Sequence, residues 1–170
     1  RLQRLLTQDV SLLAYHLPLD AHAEVGNNAC LAAMLGIDDL EPLQAGVKRS
    51  VGNVGTLVED IDVNAFVTRC QQVLGRDVLH INSGAATIRR IALCTGGAQA
   101  MIDDAIRVQA DLYLTGEISE QTVHIAREAG IHFIAAGHHA TERYGAQALG
   151  RHLEQEFNLI HRFFDIDNPA

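Results

Sequence analysis

Short apolar runs alternate along this chain with longer amphipathic stretches, and a turn bearing Gly, Asn or Asp stands at most junctions. The clearest helix is Val63–Leu74, whose Val63, Phe66, Val67, Cys70 and Leu74 recur at helical spacing, with Asp62 placed as N-cap and Gly75 as C-cap. From Val78 onward the pattern becomes regular. Strands are predicted over residues 78–81, 88–94, 112–114 and 131–135, and helices over 98–109, 119–129 and from His138 to about Glu156. Upstream, Ser11 to His16 reads as a buried strand ending at Pro18, residues 29–35 as a short helix closed by Gly36, and 51–59 as a strand interrupted at Gly52 and Gly55. Residues 159–166 read as a last strand, and the charged, turn-rich stretch 38–52 as a boundary between lobes. The chain opens on Arg1-Leu2-Gln3-Arg4, with no Met, inside a helical pattern that runs to about Gln8, and so reads as the C-terminal portion of a longer protein. Strand, turn and helix repeating with short connections predict an α/β fold, a mainly parallel or mixed sheet covered by helices on both faces in three layers.

Sheets of this kind gather their ligand sites at the carboxyl ends of the strands. Five polar or Gly-rich turns fall there: His16 to His22, Gly26-Asn27-Asn28, Thr95-Gly96-Gly97, Thr115-Gly116-Glu117 and His138 to Glu142. In the last, an apolar run leads into Gly137-His138-His139-Ala140-Thr141-Glu142-Arg143. His138 and Glu142, four apart on a helix, stand one above the other, and imidazole with carboxylate is a donor pair that Zn, Mn, Fe and Ni sites use. The plainer reading is that His138 or His139 caps the helix while Glu142 favours its positive end. His16, Asp20 and His22, at a second predicted strand exit with Pro18 stiffening the segment, strengthen the metal reading over that of a loop with an Asx-turn. Glu117 fits either a partner or general base near a metal-bound water or a helix-end acid without chemistry. Thr95-Gly96-Gly97 reads as a tight turn rather than an anion cradle, and no complete nucleotide-binding glycine motif is present. His124 and His132 read as surface or core residues. No Ser nucleophile elbow is present and no cysteine has an activating neighbour, so covalent catalysis is not supported.

Composition narrows the function classes. A formal net charge of −8 with a single lysine, Lys48, argues against duplex DNA as the main ligand, since displacing counterions takes a cationic patch. There is no apolar run of membrane-spanning length and no signal-peptide pattern. Cys30, Cys70 and Cys94, odd in number and without CxxC, read as reduced thiols of a cytoplasmic protein.

Taken in order, His16-Leu17-Pro18-Leu19-Asp20-Ala21-His22, the Gly52-Asn53-Val54-Gly55 strand, Thr115-Gly116-Glu117, Gly137 to Arg143 and the closing Asp167-Asn168-Pro169-Ala170 resemble the YbgI/NIF-three-like family, whose members carry the name GTP cyclohydrolase 1 type 2. The resemblance covers essentially the whole chain. It implies two similar α/β lobes, here residues 1–45 as the remainder of an incomplete first lobe and 46–170 as the second lobe with its C-terminal strand. It also implies a toroidal homohexamer and a dinuclear site of two divalent ions (Zn, Mn, Fe or Ni) per complete subunit. The ligands carried over are Asp20, His138 and Glu142, with His16 close by. The family's further His-His pair has no counterpart here. Three protein ligands suffice for one ion, whereas two ions about 3.5–4 Å apart normally take more. The function implied is metal-dependent hydrolysis of a small, nucleotide-like molecule. The alternative is a non-catalytic metal-binding adaptor or scaffold.

Overall fold

The computed structural model describes residues 1–47 and 50–170; Lys48 and Arg49, inside the stretch read as a lobe boundary, lie outside the described residues. Six strands, Asp38–Pro42 (β1), Asn53–Asp62 (β2), Leu79–Ile81 (β3), Thr87–Cys94 (β4), Leu112–Thr115 (β5) and His132–Ala135 (β6), form one sheet in the order β1-β2-β4-β5-β6-β3. The β4–β5 and β5–β6 pairs are parallel, and the other three are antiparallel. The sheet is therefore mixed, with its parallel core in the middle. β1 pairs directly with β2, because a short connection joins strands only antiparallel.

Both faces of the central strands are buried, and their residues alternate between two cores. Ile91, Leu93, Leu112, Leu114 and Ile134 face one core, closed by helices Asn27–Leu35 (α3), Val63–Leu74 (α4) and the start of His138–Phe157 (α7). Ala92, Cys94, Tyr113 and Phe133 face the other, closed by Ile102–Arg107 (α5) and Glu120–Ala129 (α6). The three layers expected from the pattern are present. So are the α4 caps: Asp62 accepts from the Asn64 and Ala65 N–H groups, and Gly75 ends the helix at φ 69°.

Four expectations need correction. Residues 11–16 are not a strand; Leu12, Leu13 and Tyr15 are exposed and have no ladder partner among the described residues. Residues 159–166 likewise form no strand, and Ile160, Phe164 and Ile166 stand exposed. An apolar run marks a surface that favours cover but does not supply a pairing edge. The helix over 98–109 is a 3-10 turn, Gln99–Met101, followed by α5, and it stops before Gln109, whose φ is 55°. Gly55 does not interrupt β2. A Cβ there would lie 2.5 Å from the Asp38 carbonyl oxygen, so the glycine is what lets β1 close onto the strand. Two short helices complete the chain, Leu2–Thr7 (α1), with no buried residue, and Leu17–Asp20 (α2).

The β3–β6 edge carries a histidine pair. His132 is fully buried; its Nε2 lies 2.7 Å from the Ala85 carbonyl and its Nδ1 3.2 Å from His80 Nε2. Burial and the neighbouring imidazole lower the His80 pKa from 6.5. Below pH 6.5 the unfolded chain therefore takes up a proton that folded His80 resists, so this group's contribution to stability is held above 6.5 and lost as pH falls through the lowered folded value. Urea midpoints at about pH 7 and about pH 5 should show this loss. His80→Gln, which keeps an N–H for His132 but does not titrate, should show less of it.

Candidate metal site

The site residues come from four segments that meet at the carboxyl ends of β4, β5 and β6. β6 runs into Ala136-Gly137, where a Gly137 φ of 98° turns the chain into α7 and puts His138 at its first position. β5 runs into Gly116-Glu117, and the Gly116 and Gly137 N–H groups bond to the Gly96 and Gly116 carbonyls, so the three turns lie side by side. His138 stands between two carboxylates. Its Nδ1 is 2.6 Å from Glu117 Oε1 and its Nε2 is 3.1 Å from Glu142 Oε2. The bond to Glu117, aided by the charge of Glu142, holds the imidazole pKa above its usual value. Glu142 is shifted upward as well, first by burial and also by the Asp20 carboxylate. Beneath them burial pushes the Cys94 thiol up to about 12, with Asp20 and Glu142 adding to the shift. Close carboxylates in a partly dry setting favour a cation between them.

Asp20, at the end of α2, is 5% exposed although it is a carboxylate, and its Oδ1 accepts from Asn27 Nδ2 at 2.7 Å. His16 is the residue before α2 and is exposed. His22 is used locally, its Nδ1 accepting from the Glu24 and Val25 N–H groups. His139 has its Nε2 3.9 Å from Asp165 and lines one cavity with Glu117, His138 and Glu142. His132 is core and His124 surface.

The Thr95-Gly96-Gly97 turn is not an anion cradle. Its Thr95, Gly96 and Ala98 N–H groups donate to Asn28 Oδ1, Thr141 Oγ1 and Thr115 Oγ1. Its contribution is space. Gly96 has φ 73°, and a Cβ on it would lie 2.8 Å from Glu142 Cδ and 3.2 Å from His138 Nε2.

Sequence reasoning missed the weight of Asn27 and Asn28, read there only as a turn. They open α3, 5% and 0% exposed. Asn27 Oδ1 accepts from the Gly145 N–H of α7 at 2.7 Å while its Nδ2 donates to Asp20. Asn28 Nδ2 donates to the Asp20 and Val51 carbonyls at 3.0 and 2.7 Å. The signal available was two adjacent amides directly before an apolar helix, a place where one would have served as a cap.

These donors can be tested against a metal. Two ligands each about 2.0–2.1 Å from one ion, and roughly 90–110° apart at it, stand about 2.8–3.4 Å from each other. The His138–Glu142 separation of 3.1 Å lies inside that range. Glu117 behind the other ring nitrogen completes the carboxylate–imidazole arrangement common in metal sites. Among the described residues no group of three or more His, Cys, Asp or Glu side chains stands as a ready-made metal cage. The donor set fits the partial coordination of one ion, with Asp20 adjacent.

A bacterial protein named GTP cyclohydrolase 1 type 2 homolog, from Pseudomonas aeruginosa, is 56% identical over 170 residues, which cover all of this chain and 67% of that protein. The protein of the same name from Escherichia coli is 46% identical over 174 residues, again 67% of its length. Among solved structures, one described as protein ybgI, of unknown function, superposes with a TM-score of 0.93 at 45% identity, over 99% of this chain and 67% of that one. A Thermus thermophilus protein superposes with a TM-score of 0.88 at 34% identity, over 99% and 66%. The chain thus spans about two thirds of the length of these relatives. The family model that matches, over residues 1–169, is described as Duf34/NIF3 (NGG1p interacting factor 3), and the chain belongs to that family.

Proposed function

We propose that this chain carries part of the active site of a divalent-metal-dependent hydrolase acting on a small, nucleotide-like molecule, as the name of its relatives suggests. The observation that carries the reading is His138 held between Glu117 and Glu142, with its second nitrogen and a Glu142 oxygen at the spacing of two ligands to one ion. A bound divalent ion would supply Lewis acidity and make water available as a nucleophile near neutral pH. The chain's own residues do the rest. Glu117 accepts the Nδ1–H and so fixes the tautomer that leaves Nε2 as a donor to the ion. Glu142 and Asp20 supply negative charge from two different helices, α7 and α2. Glu117, with its side chain 46% exposed, also reaches solvent and can pass a proton outward.

Two ions per complete subunit, and a toroidal hexamer enclosing the sites, belong to the same proposal; a second ion needs ligands beyond Asp20, His138 and Glu142. Among the described residues no helix is long and apolar enough to cross a membrane. The test is elemental analysis of the purified chain after reloading with Zn, Mn, Fe or Ni, followed by hydrolysis assays on GTP and a panel of nucleotides and cyclic amides. At least one ion retained per chain, with turnover that chelation abolishes, is the expected result. A chain that stays metal-free overturns the hydrolase reading and leaves a non-catalytic scaffold in its place.

A further inference from the structure

We infer that Asn27 is a positioning residue of this site: its buried side-chain amide presents Asp20 as a one-oxygen ligand and locks that ligand to the helix carrying the other two. The inference rests on the metal reading above and concerns how the chain assembles its donors.

Asp20 lies on a short loop-borne helix, whereas His138 and Glu142 lie on α7, far away in sequence. Three features bring them together. Gly26 packs so closely on the Asp20 segment that a Cβ would lie 2.7 Å from the Leu19 carbonyl oxygen and 2.9 Å from the His22 nitrogen. Gly145 gives the matching approach on α7, where a Cβ would lie 2.7 Å from Asn27 Oδ1 and 3.0 Å from its Cγ. Between these two bare backbone patches the Asn27 amide spans the gap, with one bond of 2.7 Å to Asp20 Oδ1 and one of 2.7 Å from the Gly145 N–H. A primary amide is the short side chain that offers a donor and an acceptor on one rigid plane, so the two bonds fix each other's direction.

Two consequences follow for a ligand. Asp20 Oδ1 is committed to Asn27, and Oδ2 takes no hydrogen bond among the described residues, so Oδ2 is the oxygen left for a cation. The donated N–H also satisfies one oxygen of a carboxylate that is only 5% exposed, so the side chain is held in place without turning outward. Asn28 completes the arrangement from the next position. It holds the Asp20 backbone carbonyl with Nδ2 and the Thr95 N–H with Oδ1, which fixes the turn beneath Glu142. Partners of this kind behind a ligand typically change metal affinity by about 10–100-fold when removed.

The test is a double-mutant cycle on Zn2+ affinity, measured by isothermal titration calorimetry on the full chain, with the thermal midpoint of each metal-free variant recorded in parallel. Asn27→Leu, similar in size but without hydrogen-bonding atoms, should weaken Zn2+ binding by ~10-fold or more. Asp20→Asn should weaken it at least as much. If Asn27 acts through Asp20, the double variant binds within about 2-fold of Asp20→Asn alone, because the two losses are one. Losses that multiply, or an Asn27→Leu variant that binds like the parent, overturn the inference and leave the metal reading standing. A parent that binds no Zn2+, or an Asp20→Asn variant that binds like the parent, overturns the inference together with the ligand assignment it rests on. Should Asn27→Leu fail to fold, the parent alone decides by nuclear magnetic resonance. Saturating Zn2+ should shift the Asn27 side-chain NH2 resonances, and an unmoved pair overturns the inference.

Discussion

Gly96→Ala is expected to lower the chain's divalent-metal affinity by ~100-fold or more, the upper end for an altered partner, since here two ligands move together. The added methyl would occupy the place where Glu142 now lies, 2.8 Å from its Cδ, and would press on His138 Nε2 at 3.2 Å. The Thr95-Gly96 backbone has no freedom to retreat, since Gly96 is bonded on both sides, its N–H to Thr141 and its carbonyl to Gly116 N–H and Thr115 Oγ1. Glu142, with its side chain about a quarter exposed, must swing away instead. The cost to the fold is smaller, about 1–2 kcal/mol for an L-residue at φ 73°. Gly97→Ala is the control. Its φ is not positive and its Cβ would come no closer than 3.3 Å to Glu117, so affinity should change by only a few-fold. Calorimetric titration with Zn2+ or Mn2+ checks both. Parent-like binding by Gly96→Ala removes Glu142 from the ligand set.

The glycine pair shows what can and cannot be read in the sequence. Thr95-Gly96-Gly97 is legible as a tight turn at a strand end, and His138 with Glu142 as a vertical pair on a helix, because both follow from local spacing. That Gly96 makes room for Glu142, or that Glu117 sits on Nδ1 of His138, depends on β4, β5 and β6 being neighbours, and local pattern does not state that order. The same limit explains the strands. Residues 88–94 and 112–114 alternate between two buried faces and are legible almost to the residue. Residues 11–16 and 159–166 carry equally apolar patterns, but no strand lies beside them among the described residues. Asn27 is the hardest case. Its two bonds reach back seven residues and forward across 118, and two adjacent amides before an apolar helix signal at most a cap, not which distant groups they hold.

Phe66→Ala is expected to remove ~3–5 kcal/mol of stability, a large part of the roughly 5–15 kcal/mol that a domain of this kind holds in total. Phe66 is fully buried at the centre of the α4 stripe, in the core that also contains Leu31, Leu57, Ile91 and Leu114, and truncation there leaves a cavity that the surrounding strands cannot close. None of its neighbours in that cluster is one of the proposed ligands. The two substitutions should therefore act on opposite quantities. Metal that binds only the folded chain raises stability by an amount set by its affinity and concentration, whatever the starting stability. In urea titrations with and without Zn2+, Phe66→Ala should lower the midpoint sharply yet gain the same increment from metal as the parent. Gly96→Ala should lose little in the absence of metal and gain almost nothing in its presence. Loss of the increment in Phe66→Ala would mean that the site depends on the packing of the α4 core, against the arrangement seen here, in which the donors are held by the turns at the strand ends and by the buried amides of α3.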